Sequence, residues 1–246
     1  MPNQPGIQLS VVIPAFNEAS RLPGTLCHVA EYLSAQPYRS EILVVDDGST
    51  DGTAQIVTRW QCGQVPVRLL SHPDQANHGK GAAIRRGMLE AHGRFRLFMD
   101  ADNSTTVDQV CRFWQFFEGG CEIVIGSRNV EGAKVVVHQA WYKELAGKLG
   151  NWVIRLLVVP GISDTQAGFK MFTQESAETL FALLTIESWG YDIELLAIAR
   201  CRNYQLREAP ITWVNATGSR VSLKSYFQVL ADIWRIRRNV RAGLYR

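Results

Sequence analysis

The chain contains no run of about 20 apolar residues, the length that spans a bilayer. Its best candidate, Trp152 to Val159, is short, carries Arg155 and ends at Pro160. No membrane-crossing helix is expected. Met1 to Gly6 has neither a basic n-region nor an apolar h-region, so no signal peptide is expected either. Cysteine is sparse, with five residues (Cys27, Cys62, Cys111, Cys121, Cys201), no CxxC pair and no His-paired cluster. That excludes a zinc finger and a disulfide framework, and points to free thiols in a reducing compartment. His28, His72, His92 and His138 show no metal-ligand spacing. Internal repeats, low-complexity linkers, nucleic-acid signatures and the GxxxxGK[ST] spacing of a P-loop are all missing.

What remains is an ordinary globular composition. A chain of 246 residues with 46% hydrophobic and 20% charged residues can bury a full core within one large α/β domain. Charge is uneven. From Arg220 onward there are seven basic residues and one acid, Asp232, a net +6, so the rest of this +3 chain carries −3. Tyr226, Leu230, Ile233, Trp234, Val240 and Leu244 recur there at near-helical spacing with arginines between them. Residues 220–246 therefore read as a basic amphipathic helix suited to an anionic membrane surface, following a main domain over residues 8–219. Packing of that helix on the core, or in a dimer contact, is the alternative.

The first half alternates strand and helix signals. Strands are expected at 9–13, 41–45, 65–70, 95–99 and 122–125. Helices are expected from a cap at Asn17 or Ser20 through Leu33, from Thr50 or Asp51 through Trp60, and over 82–92 with Gly93 at its end. Further on, helices are expected over 143–159 and 192–201, and strands over 169–172 and 206–214. Near-continuous apolar strands alternating with helices imply a mostly parallel sheet covered on both faces. Ligands of such sheets sit beyond the carboxyl ends of the strands. Pro14 to Glu18, Asp46-Asp47 and Asp100-Ala101-Asp102 all fall there, so their acidic groups should share one crevice.

Asp100 and Asp102 suit a hard divalent cation, because Mg²⁺ or Mn²⁺ favours one or two carboxylates plus substrate phosphate oxygens. A solvated turn with a helix cap would use the same residues. Asp46 to Thr53 forms a strand-to-helix turn whose carboxylates can accept hydrogen bonds from a base or ribose, or simply cap the turn. His78 to Gly87 is a glycine-rich approach to a helix, where free amides and Lys80 would suit an anion. Arg128, at the end of a strand, can grip a phosphate bidentately. Asp164 to Lys170 offers a carboxylate, an amide and a lysine. Trp189 to Glu194 places two acids before an apolar helix, and Asp192 could cap it.

Taken in order, these segments and Gly218-Ser219-Arg220 resemble family 2 glycosyltransferases of the GT-A fold. They are most similar to the branch that transfers a sugar to a polyprenyl phosphate, the dolichyl-phosphate β-glucosyltransferases and mannose synthases. DTQxGFK and WxxDxELL favour the glucosyltransferases. The resemblance implies that Pro14, Phe16, Glu18 and Asp47, with Asp46 beside them, surround the nucleotide, and that Lys80 and Arg85 lie near the donor. Asp100 and Asp102 would address the donor ribose and the Mg²⁺ or Mn²⁺, and Arg128 and Arg220 would face phosphates. It allows Asp164 to act as a base, or to align the acceptor or order Lys170. Asn103-Ser104 stands where mannose synthases tend to supply a further metal contact.

The function implied is metal-assisted, inverting transfer of a hexose, with UDP-glucose the favoured donor, to a polyprenyl phosphate. The enzyme would be cytoplasmic and peripheral to the cytosolic face of a membrane, with oligomerisation open. GDP-mannose as donor, a different acceptor, or a non-catalytic nucleotide-binding scaffold are the alternatives.

Overall fold

The computed structural model describes residues 6–60, 63–136, 154, 155, 157–214 and 223–245. Arg220, Trp152 and most of the expected 143–159 helix lie outside the described residues.

Seven strands form one sheet in the order β3-β2-β1-β4-β7-β5-β8. They are β1 (Leu9–Ala15), β2 (Ser40–Asp46), β3 (Val67–Ser71), β4 (Phe95–Met99), β5 (Ile123–Ser127), β7 (Phe169–Thr173) and β8 (Leu206–Pro210). The remaining two, β6 (Lys134–Val135) and β9 (Thr212–Trp213), pair as a short parallel ribbon. Every residue of β2, β4 and β5 is buried, as strands covered on both faces require. The expected mostly parallel sheet is present, with one exception. β7 runs antiparallel to both of its neighbours, β4 and β5. The expected 206–214 strand is broken at Ile211 and serves both sheets.

Helices α1 (Leu22–Ser34), α2 (Thr53–Thr58) and α4 (Trp114–Glu118), with a 3₁₀ turn at Val107–Arg112, cover one face. Helices α3 (Lys80–Glu90), α5 (Gln174–Leu183), α6 (Tyr191–Cys201) and α7 (Leu223–Arg241) cover the other. Several expected caps are replaced by tertiary contacts. Asn17 sits at φ 51 and does not cap α1. Its N–H donates to Ser49 Oγ, and its Oδ1 accepts from Thr50 N–H, each at 2.8 Å. The α2 helix starts later than expected, after Gly52. Asp192 lies inside the first turn of α6 rather than capping it.

The last helix, α7, packs on the core through Ile233 and Ile236. Beyond it, the Tyr245 hydroxyl donates to buried Glu194 Oε1 at 2.6 Å. Leu230, Trp234, Val240 and Leu244 point outward, Trp234 being 70% exposed. Of the apolar positions expected to form one stripe, Ile233 thus faces the core and these four face solvent, while the Tyr226 side chain lies outside the described residues.

Candidate functional site

A cleft of about 660 Å³ opens at the carboxyl ends of β1, β2, β4 and β5. Pro14, Phe16, Glu18, Asp47, Lys80, Asp100, Asp102 and Arg128 all line it, so segments far apart in sequence meet as expected. Asp46, Arg85 and Asp164 do not line it. Asp46 is buried, with one oxygen 3.4 Å from Ser49 N–H. Arg85 faces α5 and donates from Nε to Phe181 O at 2.9 Å.

Asp100-Ala101-Asp102 forms a turn beyond β4. Thr25 Oγ1 donates to Ala101 O at 2.7 Å and fixes the turn from α1. Asp102 Oδ1 accepts from Ser104 N–H at 2.9 Å. Asn103, at φ 57, turns its amide toward His28 Nδ1 at 3.1 Å. Lys80 Nζ lies 2.6 Å from Asp100 Oδ1. Burial alone would lower the Lys80 pKa, but Asp100, Asp192 and Asp102 outweigh it and hold the ammonium charged. Gly168 is packed so closely that a Cβ there would run into the Asp100 carboxylate.

The glycine-rich approach to α3 does not leave its amides free. His78 N–H donates to Asp47 Oδ1 and Gly79 N–H to Asp47 Oδ2, each at 2.9 Å, and Asn77 Nδ2 adds a third bond at 2.9 Å. Gly81 and Ala82 N–H both donate to Glu187 O, at 2.7 and 3.2 Å. The expected anion nest is therefore filled by the protein itself, and α3 contributes Lys80 and Ala83 to the cleft. Burial pushes the Asp47 pKa up, and the amide hydrogen bonds only partly oppose it.

Arg128 lines the cleft from the end of β5, and its guanidinium lies 5.3 Å from the Trp213 ring centroid. Its Nε and Nη2 donate to Asp164 at 2.7 and 2.9 Å, and its own backbone N–H adds a third bond at 2.9 Å. Asp164 is 2% exposed. Burial would raise its pKa, yet Arg128 brings it below the ordinary value. A carboxylate buried, saturated and held acidic is a poor proton acceptor. The geometry favours orientation of Arg128 over the base role.

Lys170 does not reach the cleft. It is fully buried, and its Nζ donates to Asp192 Oδ1 and Ala167 O, both at 2.5 Å. Gln166, the amide of the 164–170 segment, lines the cleft, as do four residues the sequence did not reveal there, Arg21, Trp189, Trp213 and Gln228. Arg21 is bidentate on Glu18, at 2.6 and 2.7 Å. Trp189 lies 5.5 Å from Lys80 Nζ, measured to the ring centroid. The tryptophans of WxxDxELL and of the β9 ribbon were the available signals, but an indole in sequence does not distinguish core from cleft.

Asp100 and Asp102 fit a divalent cation. Asp100 Oδ1 is shielded from solvent and takes no aligned hydrogen bond despite the nearby ammonium. Both side chains are hard oxygen donors at the cleft. Among the described residues, no three His, Cys, Asp or Glu side chains gather closely enough to hold a metal unaided. A cation bound here would therefore complete its shell with ligand oxygens.

Comparison with known proteins agrees with this architecture. Glycosyl transferase family 2 matches residues 10–181. A dolichyl-phosphate beta-glucosyltransferase of Trichomonas vaginalis is 34% identical over 244 residues, covering 95% of this chain and 74% of its own. The Homo sapiens dolichyl-phosphate beta-glucosyltransferase is 33% identical over 258 residues, covering 99% and 79%. Among solved structures, Mycobacterium tuberculosis glucosyl-3-phosphoglycerate synthase, in complex with Mn²⁺, UDP-glucose and phosphoglyceric acid, superposes with a TM-score of 0.68 at 19% identity. It covers 95% of this chain and 80% of its own. Rubrobacter xylanophilus mannosyl-3-phosphoglycerate synthase gives a TM-score of 0.62 at 20% identity, covering 96% and 75%. The fold is the expected GT-A arrangement, and the chain belongs to the family 2 glycosyltransferases.

Proposed function

We propose that this chain transfers glucose from UDP-glucose to a dolichyl-type polyprenyl phosphate, with inversion at the anomeric carbon. The observation that carries this reading is one cleft holding the Asp100/Asp102 turn with Lys80, and Arg128 braced by Asp164. Relatives with 33–34% identity that are named for this reaction support it.

Phe16 and Pro14 would bound the nucleotide, and Asp47 would face it with its carboxylate already fixed by amides. Lys80 would neutralise the donor diphosphate. Asp100 and Asp102 would hold Mg²⁺ or Mn²⁺, which when bound stabilises charge on the departing UDP. Arg128, joined by Arg220, would grip the acceptor phosphate. One acceptor oxygen forms the new bond to the sugar C1 as the bond from C1 to the UDP oxygen breaks, and that electron pair leaves with UDP. The second pKa of a phosphate monoester is about 6, so the attacking oxygen is already deprotonated at neutral pH. No side chain needs to remove a proton, in keeping with an Asp164 that already accepts three hydrogen bonds from Arg128.

A lipid acceptor also gives a use to the outward face of α7 at the cytosolic side of a membrane. Leu230, Trp234 and Val240 are exposed there, with Leu244 exposed just beyond the helix, and Arg237 lies 6.0 Å from the Trp234 ring centroid. Its one acid, Asp232, turns inward. Among the described residues, no helix is long and apolar enough to cross a membrane.

A panel of UDP- and GDP-sugars with polyprenyl phosphate, with Mn²⁺ or with EDTA, tests the reading by product mass. Glucose transfer from UDP-glucose that EDTA abolishes is expected. Mannose transfer from GDP-mannose as the main product would overturn the donor assignment.

A further inference from the structure

The proposed mechanism makes no use of Asp232. It is the one acid of α7, and it is 9% exposed where the neighbouring inward positions, Ile233 and Ile236, are apolar. Burying a carboxylate is costly, and burial indeed pushes its pKa up. Its Oδ2 accepts from Ser188 Oγ at 3.2 Å. Gly190 packs against the same carboxylate so tightly that a Cβ there would overlap it, although Gly190 has an ordinary φ of −76°. The absent side chain is thus explained by the close approach of Asp232 and not by backbone conformation.

The turn gripped in this way reaches the cleft by two routes. Trp189, between Ser188 and Gly190, lies over Lys80, whose Nζ is 2.6 Å from Asp100. Glu187 O, just before it, accepts the Gly81 and Ala82 amides at the start of α3, the helix that carries Lys80. Gln228, one helical turn before Asp232, lines the cleft itself. The 187–190 turn is therefore held between α7 on one side and the Lys80 end of α3 on the other.

We infer that Asp232 is a positioning residue of the donor site, acting through the Ser188–Gly190 turn on Trp189 and Lys80. The inference rests on the proposed donor reading and adds α7 to the donor site. The full chain is assayed with UDP-glucose, polyprenyl phosphate and Mn²⁺, comparing wild type, Asp232→Ala, Lys80→Ala and the double variant. UDP affinity is measured in parallel by calorimetry. Asp232→Ala should raise the KM for UDP-glucose and the Kd for UDP by about tenfold, and leave the KM for the lipid phosphate unchanged. In the Lys80→Ala background it should add almost nothing, because coupled residues are not additive. Asp232→Asn, whose amide oxygen can still accept from Ser188, should restore donor affinity. If Asp232→Ala does not fold, Ser188→Ala should give the same donor-specific shift. Unchanged donor KM and Kd with only a lower kcat, or effects that multiply with Lys80→Ala, would overturn the inference. Failure of the wild type to transfer glucose would instead overturn the functional reading, and the UDP affinities would still decide the role of Asp232.

Discussion

Arg128 and Asp164 are joined by three hydrogen bonds, two from the guanidinium and one from the Arg128 backbone N–H, at 2.7, 2.9 and 2.9 Å. The pair holds the Arg128 guanidinium in place at the cleft. The folded pKa of Asp164 lies below the ordinary value of about 3.9. The pair's stabilisation is therefore fully present above that value, and is lost as pH falls through the lower folded pKa. Asp164→Asn should cost about 3 kcal/mol of stability, measured by urea unfolding, because it strands Arg128. Its residual transfer should keep the wild-type pH profile between about pH 6 and 8, where a paired Asp164 does not titrate. A profile that loses a limb on substitution would restore the base role.

Gly168 lies against the Asp100 carboxylate with no room for a side chain. Gly168→Ala should displace Asp100 from Lys80 and from a bound cation. Misplacement of about 1 Å costs on the order of 100-fold in rate, so a loss of that size is expected with the melting temperature little changed. Near-normal turnover would show that the Asp100 position is not critical.

His78 and Asp74 form an exposed pair beside the loop that holds Asp47, with His78 Nε2 2.9 Å from Asp74 Oδ2. The pair raises the His78 pKa. Its contribution is complete below the unfolded value, about 6.5, and is lost as pH rises through the higher folded one. Asp74→Asn should lower the His78 midpoint in an NMR titration. His72, which burial and the charge of His78 push down, should remain the more acidic of the two imidazolium groups.

Trp234 is 70% exposed on the outward face of α7. Trp234→Glu should leave the melting temperature unchanged and reduce flotation with anionic vesicles about tenfold, as loss of an apolar anchor from a cationic face requires. Equal flotation would remove the membrane role of this face.

Much of this site was legible as strand ends. Phe95–Met99 is an apolar run broken only by Arg96, and its bounds read directly from the residues. Its carboxyl end then places Asp100 and Asp102 at the cleft. Helix starts were less legible, because distant groups cap them. The amides of Gly81 and Ala82 are satisfied by Glu187, which no local pattern reveals. The same blindness affected Asp164, whose partner lies 36 residues earlier. Arg85 misled for a simpler reason. It follows Lys80 by five residues, about 140° around a helix, so the two cannot face the same cleft. The antiparallel direction of β7 was hidden because apolar periodicity carries no strand polarity.

The most direct test of the central claim is the product made by the purified chain from UDP-glucose, polyprenyl phosphate and Mn²⁺, identified by mass and by the anomeric proton coupling. A β-linked glucosyl phosphate lipid, absent in Asp102→Ala, is the expected result. No glucose on the lipid phosphate, or an α-linked product, would contradict it.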